Sequence, residues 1–312
     1  MPDYSDVFLT QCQECSFVFI KKIPSKKELI DFYDNNYDRT DYFSSITIKR
    51  YNELLDTFEK YRKTNNILDV GAGNGFFLEI AKARGWNVFG TELTDQSVNV
   101  CQKKDIQMKK GCLHEVGFDE NKFDVITSFE VIEHVNNPTM VVAEMYRILR
   151  EKGKVYITTP NFNSVLRYRL KSKYNVIEYP NHLCYFTKKT LGKLFSDAGF
   201  NVQQIKTTGI SLTRIKTSKG KSNQEYVSET SDDEILRHKI EHNRFLGIGK
   251  RLANWGLNLF GVGDSLKGGF DFSTHFDKLN GAARSPSRTK SGVRNLELIE
   301  RGEDSTTNKI HF

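Results

Sequence analysis

Three groups of residues in this sequence have the types and spacing to do chemistry. The first is Asp69-Val70-Gly71-Ala72-Gly73-Asn74-Gly75, with glycines at alternate positions between an apolar run and a helical run. Glycines in such a turn let the chain reverse sharply and let a ligand approach the main chain closely. The spacing G-x-G-x-G differs from the dinucleotide pattern G-x-G-x-x-G. The Gly-Lys-Ser/Thr ending of a phosphate-gripping loop is also missing. Glu92 stands 21 residues past Gly71, at the end of the next apolar run. An acid there can accept hydrogen bonds from both hydroxyls of a ribose. The second group is Glu130-x-x-Glu133-His134 with Tyr179-Pro180-Asn181-His182. On a helix, offsets of three and four would put Glu130, Glu133 and His134 on one face. Two carboxylates and an imidazole can hold a divalent metal such as magnesium or manganese. His182 can complete that site or act as a general base. The third group is the pair Cys12-x-x-Cys15.

These groups need elements to position them. Residues 67–70, 87–91, 123–128, 154–159 and 200–207 read as strands, and residues 76–83, 95–104, 139–150 and 187–198 as helices between them. Alternation of this kind predicts a mostly parallel, doubly wound α/β sheet. Pro138 suits a first helical turn, and Gly199 suits a helix end. Ahead of the first strong strand, Ser25 and Glu28 form a capping-box pattern that opens a helix over 25–37. Tyr51, Leu54, Leu55, Phe58 and Tyr61 repeat with helical spacing over 46–62. Residues 1–23 read as a strand-rich segment around the cysteine pair. After a polar break at 217–231, residues 232–259 read as a long amphipathic helix, expected to pack its apolar face against the body. Its basic residues also raise a membrane-surface reading, which Glu234, Glu241 and the central glycines oppose.

Taken together, Leu68 to Gly75, Glu92, Phe123-Asp124-Val125-Ile126 and Glu130 to Val135 resemble the successive motifs of class I S-adenosylmethionine-dependent methyltransferases. Thr159-Pro160-Asn161, Asn181-His182-Leu183 and Ala198-Gly199-Phe200 extend the resemblance, which covers about residues 60–208. It implies a Rossmann-like sheet of seven strands with the last antiparallel, formed near Gly261 to Lys267. It also implies S-adenosylmethionine bound over the first strands, with Gly71, Ala72, Gly73, Asn74 and Gly75 near the methionine part and Glu92 on the ribose. Asp69, Leu93, Cys112, Leu113, Phe129 and Glu130 complete the implied cofactor wall. Many relatives carry an acid directly after the glycine at 111, where this chain has Cys112. The E-x-x-E-H run resembles that of metal-assisted small-RNA 2′-O-methyltransferases and of ubiquinone-pathway O-methyltransferases. The implied catalytic residues are His182, His134 and Glu133, and the implied metal ligands are Glu130, Glu133, His134 and His182. The cysteine pair resembles the second half of a zinc ribbon found before some sugar-modifying methyltransferases. With no partner pair ahead of it, it is expected to be a remnant.

The bulk properties narrow the function classes. A net charge of +7 invites a nucleic-acid reading, but acids and bases interleave where a footprint would cluster. No apolar run approaches the roughly 20 residues that span a bilayer, and the first residues lack a signal-peptide core. Five scattered cysteines make no disulfide framework, so a reducing cytoplasm is the expected location. The expected domains are a cysteine-pair and cap-helix segment at 1–62, a methyltransferase domain at 63–272 with a helical insertion at 232–259, and a disordered tail at 273–312. The cap helices and residues 160–186 should wall an acceptor pocket. The acceptor is expected to be a small molecule or a sugar, methylated on oxygen or carbon. The alternatives are an inactive cofactor-fold binding module, a metal-assisted RNA methyltransferase and a nicotinamide-dependent oxidoreductase.

Overall fold

The computed structural model describes residues 8–25, 27–29, 31–32, 45–174, 176–209 and 244–272. The polar break at 217–231, residues 232–243 and the tail from 273 lie outside the described residues. Near the N-terminus, Leu9–Gln11 (β1) and Val18–Ile20 (β2) form an antiparallel hairpin around Cys12 and Cys15. The capping box follows as expected: the Glu28 carboxylate accepts from the Ser25 N–H at 2.7 Å, and the Ser25 hydroxyl accepts from the Glu28 N–H at 3.2 Å. Helix Ser45–Phe58 (α1) then buries Ile46, Leu55 and Phe58, the face its apolar spacing predicts.

The central elements alternate from there. They are Asn66–Val70 (β3), Phe76–Ala83 (α2), Asn87–Glu92 (β4), Asp95–Gln102 (α3), Gln107–Lys110 (β5), Phe123–Phe129 (β6), Pro138–Ile148 (α4) and Leu149–Pro160 (β7). Val165–Leu170 (α5), Cys184–Tyr185 (β8), Lys188–Asp197 (α6), Phe200–Thr208 (β9), Arg244–Phe260 (α7) and Ser265–Phe272 (β10) complete the chain's described part. Seven strands make one sheet in the order β5-β4-β3-β6-β7-β10-β9. Strands β3 to β7 run parallel, and β10 inserts antiparallel to both β7 and β9. This is the Rossmann-like architecture that the motifs imply. A separate three-stranded sheet, β1-β2-β8, sits at the start of the site-bearing region.

Local chemistry sets the helix ends. Asn137 caps α4 by accepting from the Met140 N–H at 3.2 Å, with Pro138 in the first turn. Thr187 and Thr190 form a reciprocal capping box on α6. Strand β6 is buried along nearly its whole length, as a central strand with helices on both faces must be.

Helix α7 departs from expectation. Asn258 accepts from the Thr207 N–H and Asn254 from the Gly209 N–H, each at 3.0 Å, so the polar residues face the end of β9. Ile248, Leu252, Trp255 and Leu259 are exposed instead of packed. These bonds give two N–H groups at the end of β9 their acceptors and so set which side of the helix meets the sheet.

The entry to β3 is held by Asp124 of β6. This fully buried carboxylate accepts the Lys63, Thr64 and Asn65 N–H groups at 2.7, 2.7 and 2.9 Å and pairs with Arg150. Replacing it would leave a nearly buried guanidinium and three N–H donors unmatched. Asp124→Ala should therefore lower stability by about 3–5 kcal/mol in urea unfolding; a loss within experimental error would show that water takes over the nest.

Candidate active site

The glycine loop leaves β3 at the carboxyl edge of the sheet. Gly71 and Gly75 have φ of +70° and +77°. A Cβ on Gly71 would lie 2.6 Å from Val131 Cγ2, and one on Gly75 would lie 2.7 Å from Ile106 Cδ1. Both positions thus need glycine for conformation and for space. The loop is tied down on three sides. Glu92 accepts the Gly73 N–H at 3.0 Å and the Leu93 N–H at 2.9 Å. The Cys101 thiol donates to the Gly73 carbonyl, and Lys104 Nζ donates to the Asn74 carbonyl at 2.9 Å. Ala72 donates its N–H to the Thr91 carbonyl at 3.0 Å.

Beneath the loop, buried Asp69 accepts from the Thr127 hydroxyl at 2.8 Å. Loss of hydration, assisted by the charge of Glu92, pushes the Asp69 carboxyl up to about 8. Near pH 7 Asp69 is thus protonated, and a ligand with positive charge would favour release of that proton, while Glu92 beside it can accept from hydroxyl donors. The segment after β5 is built differently from the relatives' acid. Cys112 itself donates its N–H to Glu115 at 3.1 Å, so a carboxylate three residues on serves this turn. Leu113 is buried beside it.

The Glu130–His134 run is not helical, contrary to expectation. It forms a turn between β6 and the start of α4 at Pro138. Glu130 has φ of +53°, and its N–H goes to the Thr158 carbonyl of β7 at 2.9 Å. That bond continues the β6–β7 pairing, and the left-handed conformation of Glu130 cannot belong to a right-handed helix. The turn nevertheless gathers most of the expected residues. Glu133, His134 and His182 offer ligand atoms within 4.8 Å of one another. Glu130 is not a member of this group. Its charge acts instead on Tyr51 of α1 and Tyr156 of β7, whose phenols burial already holds above their ordinary pKa.

Each member of the group is oriented by a hydrogen bond. The Glu133 carboxylate is buried and accepts from the Thr159 hydroxyl at 2.9 Å. Its backbone carbonyl accepts the Leu183 and Cys184 N–H groups at 2.8 and 3.0 Å, which seats β8 against the turn. His134 Nδ1 lies 2.8 Å from the Asn181 carbonyl, and His182 Nδ1 lies 2.6 Å from the Val176 carbonyl. A carbonyl only accepts, so both Nδ1 atoms carry the hydrogen in these bonds. The rings meet edge to face with centroids 4.7 Å apart, and His134 Nε2 is 3.8 Å from Glu133 Oε1. Burial pushes the His134 imidazole down to about 4, so it is neutral near pH 7. Tyr51, Thr127, Tyr156 and Thr159 join the site only in three dimensions. Thr159 was visible in a motif, whereas the tyrosines carry no local signal. Cys12 and Cys15 lie outside the group. Backbone donation, foremost from Cys15, lowers the Cys12 thiol, and burial raises that of Cys15.

A parallel sheet with its last strand inserted antiparallel, a G-x-G-x-G loop and an acid at the end of the next strand define a class I S-adenosylmethionine-dependent methyltransferase fold. The chain belongs to the family described as "Methyltransferase domain", whose model matches residues 43–205. It is 28% identical over 165 residues to an uncharacterized protein of Methanocaldococcus jannaschii, covering 49% of this chain and 70% of that protein. It is 31% identical over 104 residues to a ubiquinone biosynthesis O-methyltransferase of Dechloromonas aromatica (31% of this chain, 45% of the relative). An enzyme of the same name from Idiomarina loihiensis is 34% identical over 104 residues, with 43% of its length covered. The chain thus spans less than half the length of these two relatives. Among solved structures, its fold is similar to phosphoethanolamine N-methyltransferase 2 of Haemonchus contortus in complex with S-adenosyl-L-methionine. The TM-score is 0.51 at 18% identity, covering 81% of this chain and 60% of that one. A SAM-dependent methyltransferase from Archaeoglobus fulgidus gives 0.50 at 16% identity, covering 78% and 98%.

The two shifted groups make opposite pH predictions. Folded Asp69 keeps a proton that the unfolded chain releases above about pH 4, so its contribution to stability falls as pH rises to about 8. Asp69→Asn should gain thermal stability on the parent across that window. His134 contributes fully above the unfolded value near 6.5, and this is lost as pH falls toward about 4. His134→Asn should flatten the acid limb of the melting curve. Parallel curves for parent and variant would reject either assignment.

Proposed function

We propose that this chain transfers the methyl group of S-adenosylmethionine to an oxygen or carbon of a small-molecule or sugar acceptor. One observation carries the reading: the Glu133–His134–His182 group stands at the carboxyl edge of the same sheet that carries the glycine loop and Glu92. The sulfonium supplies the reactive methyl group. Glu92 binds the ribose hydroxyls, the loop main chain holds the methionine part, and the buried Asp69 favours its positive charge. Phe129 and Leu93 close the apolar sides. The acceptor must lose a proton as the new bond forms, and His182 takes it through Nε2. His134 and Glu133 set the position of that ring. Tyr51 on α1 and the residues from 160 to 186 wall the acceptor space. All five cysteines are free thiols, in keeping with a cytoplasmic enzyme.

A metal-assisted variant is favoured by the donor set itself. Both imidazoles donate Nδ1–H to backbone carbonyls, the outer-shell arrangement of metal-binding histidines. Two nitrogens and one carboxylate oxygen suit a zinc-like or manganese-like ion better than magnesium, which prefers oxygen ligands throughout. Glu133, His134 and His182 would hold it. When bound, such an ion would make an acceptor hydroxyl more acidic. Glu130, separated from the group, is not proposed as a ligand.

The reading is tested by calorimetric titration with S-adenosylmethionine, then by transfer of labelled methyl to a panel of catechols and keto-sugars. Glu92→Ala should weaken cofactor binding by more than about ten-fold, since hydrogen bonds with a charged partner contribute about 1.5–3 kcal/mol. His182→Ala should leave cofactor affinity within about two-fold and cut turnover by roughly a hundred-fold. Full turnover by His182→Ala would reject its role. A folded chain that binds no S-adenosylmethionine would reject the enzyme and favour a binding module. Loss of turnover on chelation, restored by zinc or manganese, would select the metal variant.

A further inference from the structure

Helix α7 is turned with its apolar side outward. Leu252, Trp255, Leu259 and Phe260 are 64%, 67%, 64% and 75% exposed, and Ile248 is exposed as well. Positions 248, 252, 255 and 259 fall on one helical stripe. The opposite side is fixed to the body by three hydrogen bonds, two to Asn254 and Asn258 and one from the Thr207 hydroxyl to the Leu257 carbonyl. The stripe therefore cannot be buried by simple rotation of the helix.

The charge on this helix is one-sided. Residues 244–260 contain Arg244, Lys250 and Arg251 and no acid. Helix α5 meets the end of α7, where Val165 donates its N–H to the Val262 carbonyl at 3.0 Å. It has the same character. Val165 and Tyr168 are exposed, and so are Arg169, Lys171 and Lys173, while residues 165–173 hold no acid and Arg167 is buried. Seven of the eleven exposed large hydrophobic residues among the described residues lie on these two helices. Where they meet, Leu259 and Phe260 share an open cleft of about 410 Å³ with Thr187, Lys188 and Lys189. The nearby acid Asp264 is buried and pairs with the Ser164 hydroxyl, so it does not offset the positive surface.

We infer that α7, with α5 beside it, seats the protein on the surface of an anionic lipid bilayer. Apolar side chains on an exposed helix, flanked by Arg and Lys with no acid, enter the headgroup boundary while the cations meet lipid phosphates. Trp255 and Tyr168 suit that boundary, since each joins an apolar ring to a polar atom. Among the described residues no helix is long and apolar enough to cross a membrane, and this mode needs none. A second copy would set like charges against each other. A nucleic acid would leave Ile248, Leu252 and Leu259 without apolar partners. The C-terminal end of α7 lies at the catalytic edge of the sheet, because β10 starts a few residues on, at Ser265 opposite Pro160, one residue past the Thr159 that holds Glu133. An acceptor carried in or on the bilayer would then meet the site directly.

The test needs no cofactor, so it stands or falls apart from the methyl-transfer reading. The full chain is floated with vesicles of phosphatidylcholine alone and of phosphatidylcholine mixed with phosphatidylglycerol. It should rise with the mixed vesicles, less so in high salt, and Trp255 emission should be quenched by brominated lipid. Leu252→Asp with Leu259→Asp should cut partitioning by more than roughly ten-fold without lowering the melting temperature, since both side chains are solvent-facing. Absence of flotation overturns the inference, as does flotation unchanged in the double variant. Self-association or oligonucleotide binding that the double variant abolishes, without lipid binding, assigns the face to another partner and also overturns it.

Discussion

Glu133 is the point on which the catalytic edge depends. A carboxylate this deeply buried must be matched with partners or it would destabilise the fold. Its side chain takes the Thr159 hydroxyl of β7, and its carbonyl takes two N–H groups at β8. One residue thereby joins the end of the central sheet, the turn after β6 and the small N-terminal sheet. The two histidines are placed by the same junction. His134 is the next residue, and Asn181, which holds its ring, belongs to the loop that Leu183 anchors on Glu133. Position and protonation thus share one cause. The burial that obliges Glu133 to find partners also keeps His134 neutral.

The cofactor side rests on a different economy. Its loop is shaped by backbone conformation at Gly71 and Gly75 and held by Glu92 on the Gly73 and Leu93 N–H groups and by Cys101 and Lys104 on its carbonyls. Burial and the charge of Glu92 act together on Asp69. Asp69 responds by holding a proton, and a cationic ligand would release it. Binding at this loop and chemistry at the Glu133 turn are therefore built from separate materials, main chain in one case and matched side chains in the other.

Much of this was legible in the sequence, for physical reasons that differ by element. Strands β3, β4, β6 and β7 are largely buried, so they appear as short apolar runs, with Gly71 following β3 and Pro160 closing β7. The loop and Glu92 were legible because only glycine tolerates that turn and only a few residues can follow the strand. Strand β5, Gln-Met-Lys-Lys, lies at the sheet edge and has almost no apolar signature. The two-residue β8 exists only because Glu133 and β2 pair with it. The Glu130–His134 run misled because its offsets fit a helix, while the left-handed conformation of Glu130 at the end of the β6–β7 pairing makes it a turn. Helix α7 misled in the opposite way. Its amphipathicity was correctly visible, but the direction of its apolar face depended on Asn254 and Asn258 meeting β9, a contact no local pattern encodes.

The antiparallel insertion of β10 between β7 and β9 has a consequence for how the chain comes to be assembled. Residues 265–272 are translated after every other strand of the sheet, yet they occupy an interior place in it, paired on both sides. Until they emerge from the ribosome, β9 has no neighbour connecting it to β7. The buried Asn161 amide also waits for the Gly261 and Gly263 carbonyls it will bind. The nascent protein must therefore keep a slot open in its sheet, with two unpaired edges, for the time it takes to synthesise the intervening stretch. Closure by the final strand makes one cooperative sheet of what had been two pieces, so the catalytic edge is complete only when synthesis has passed Phe272.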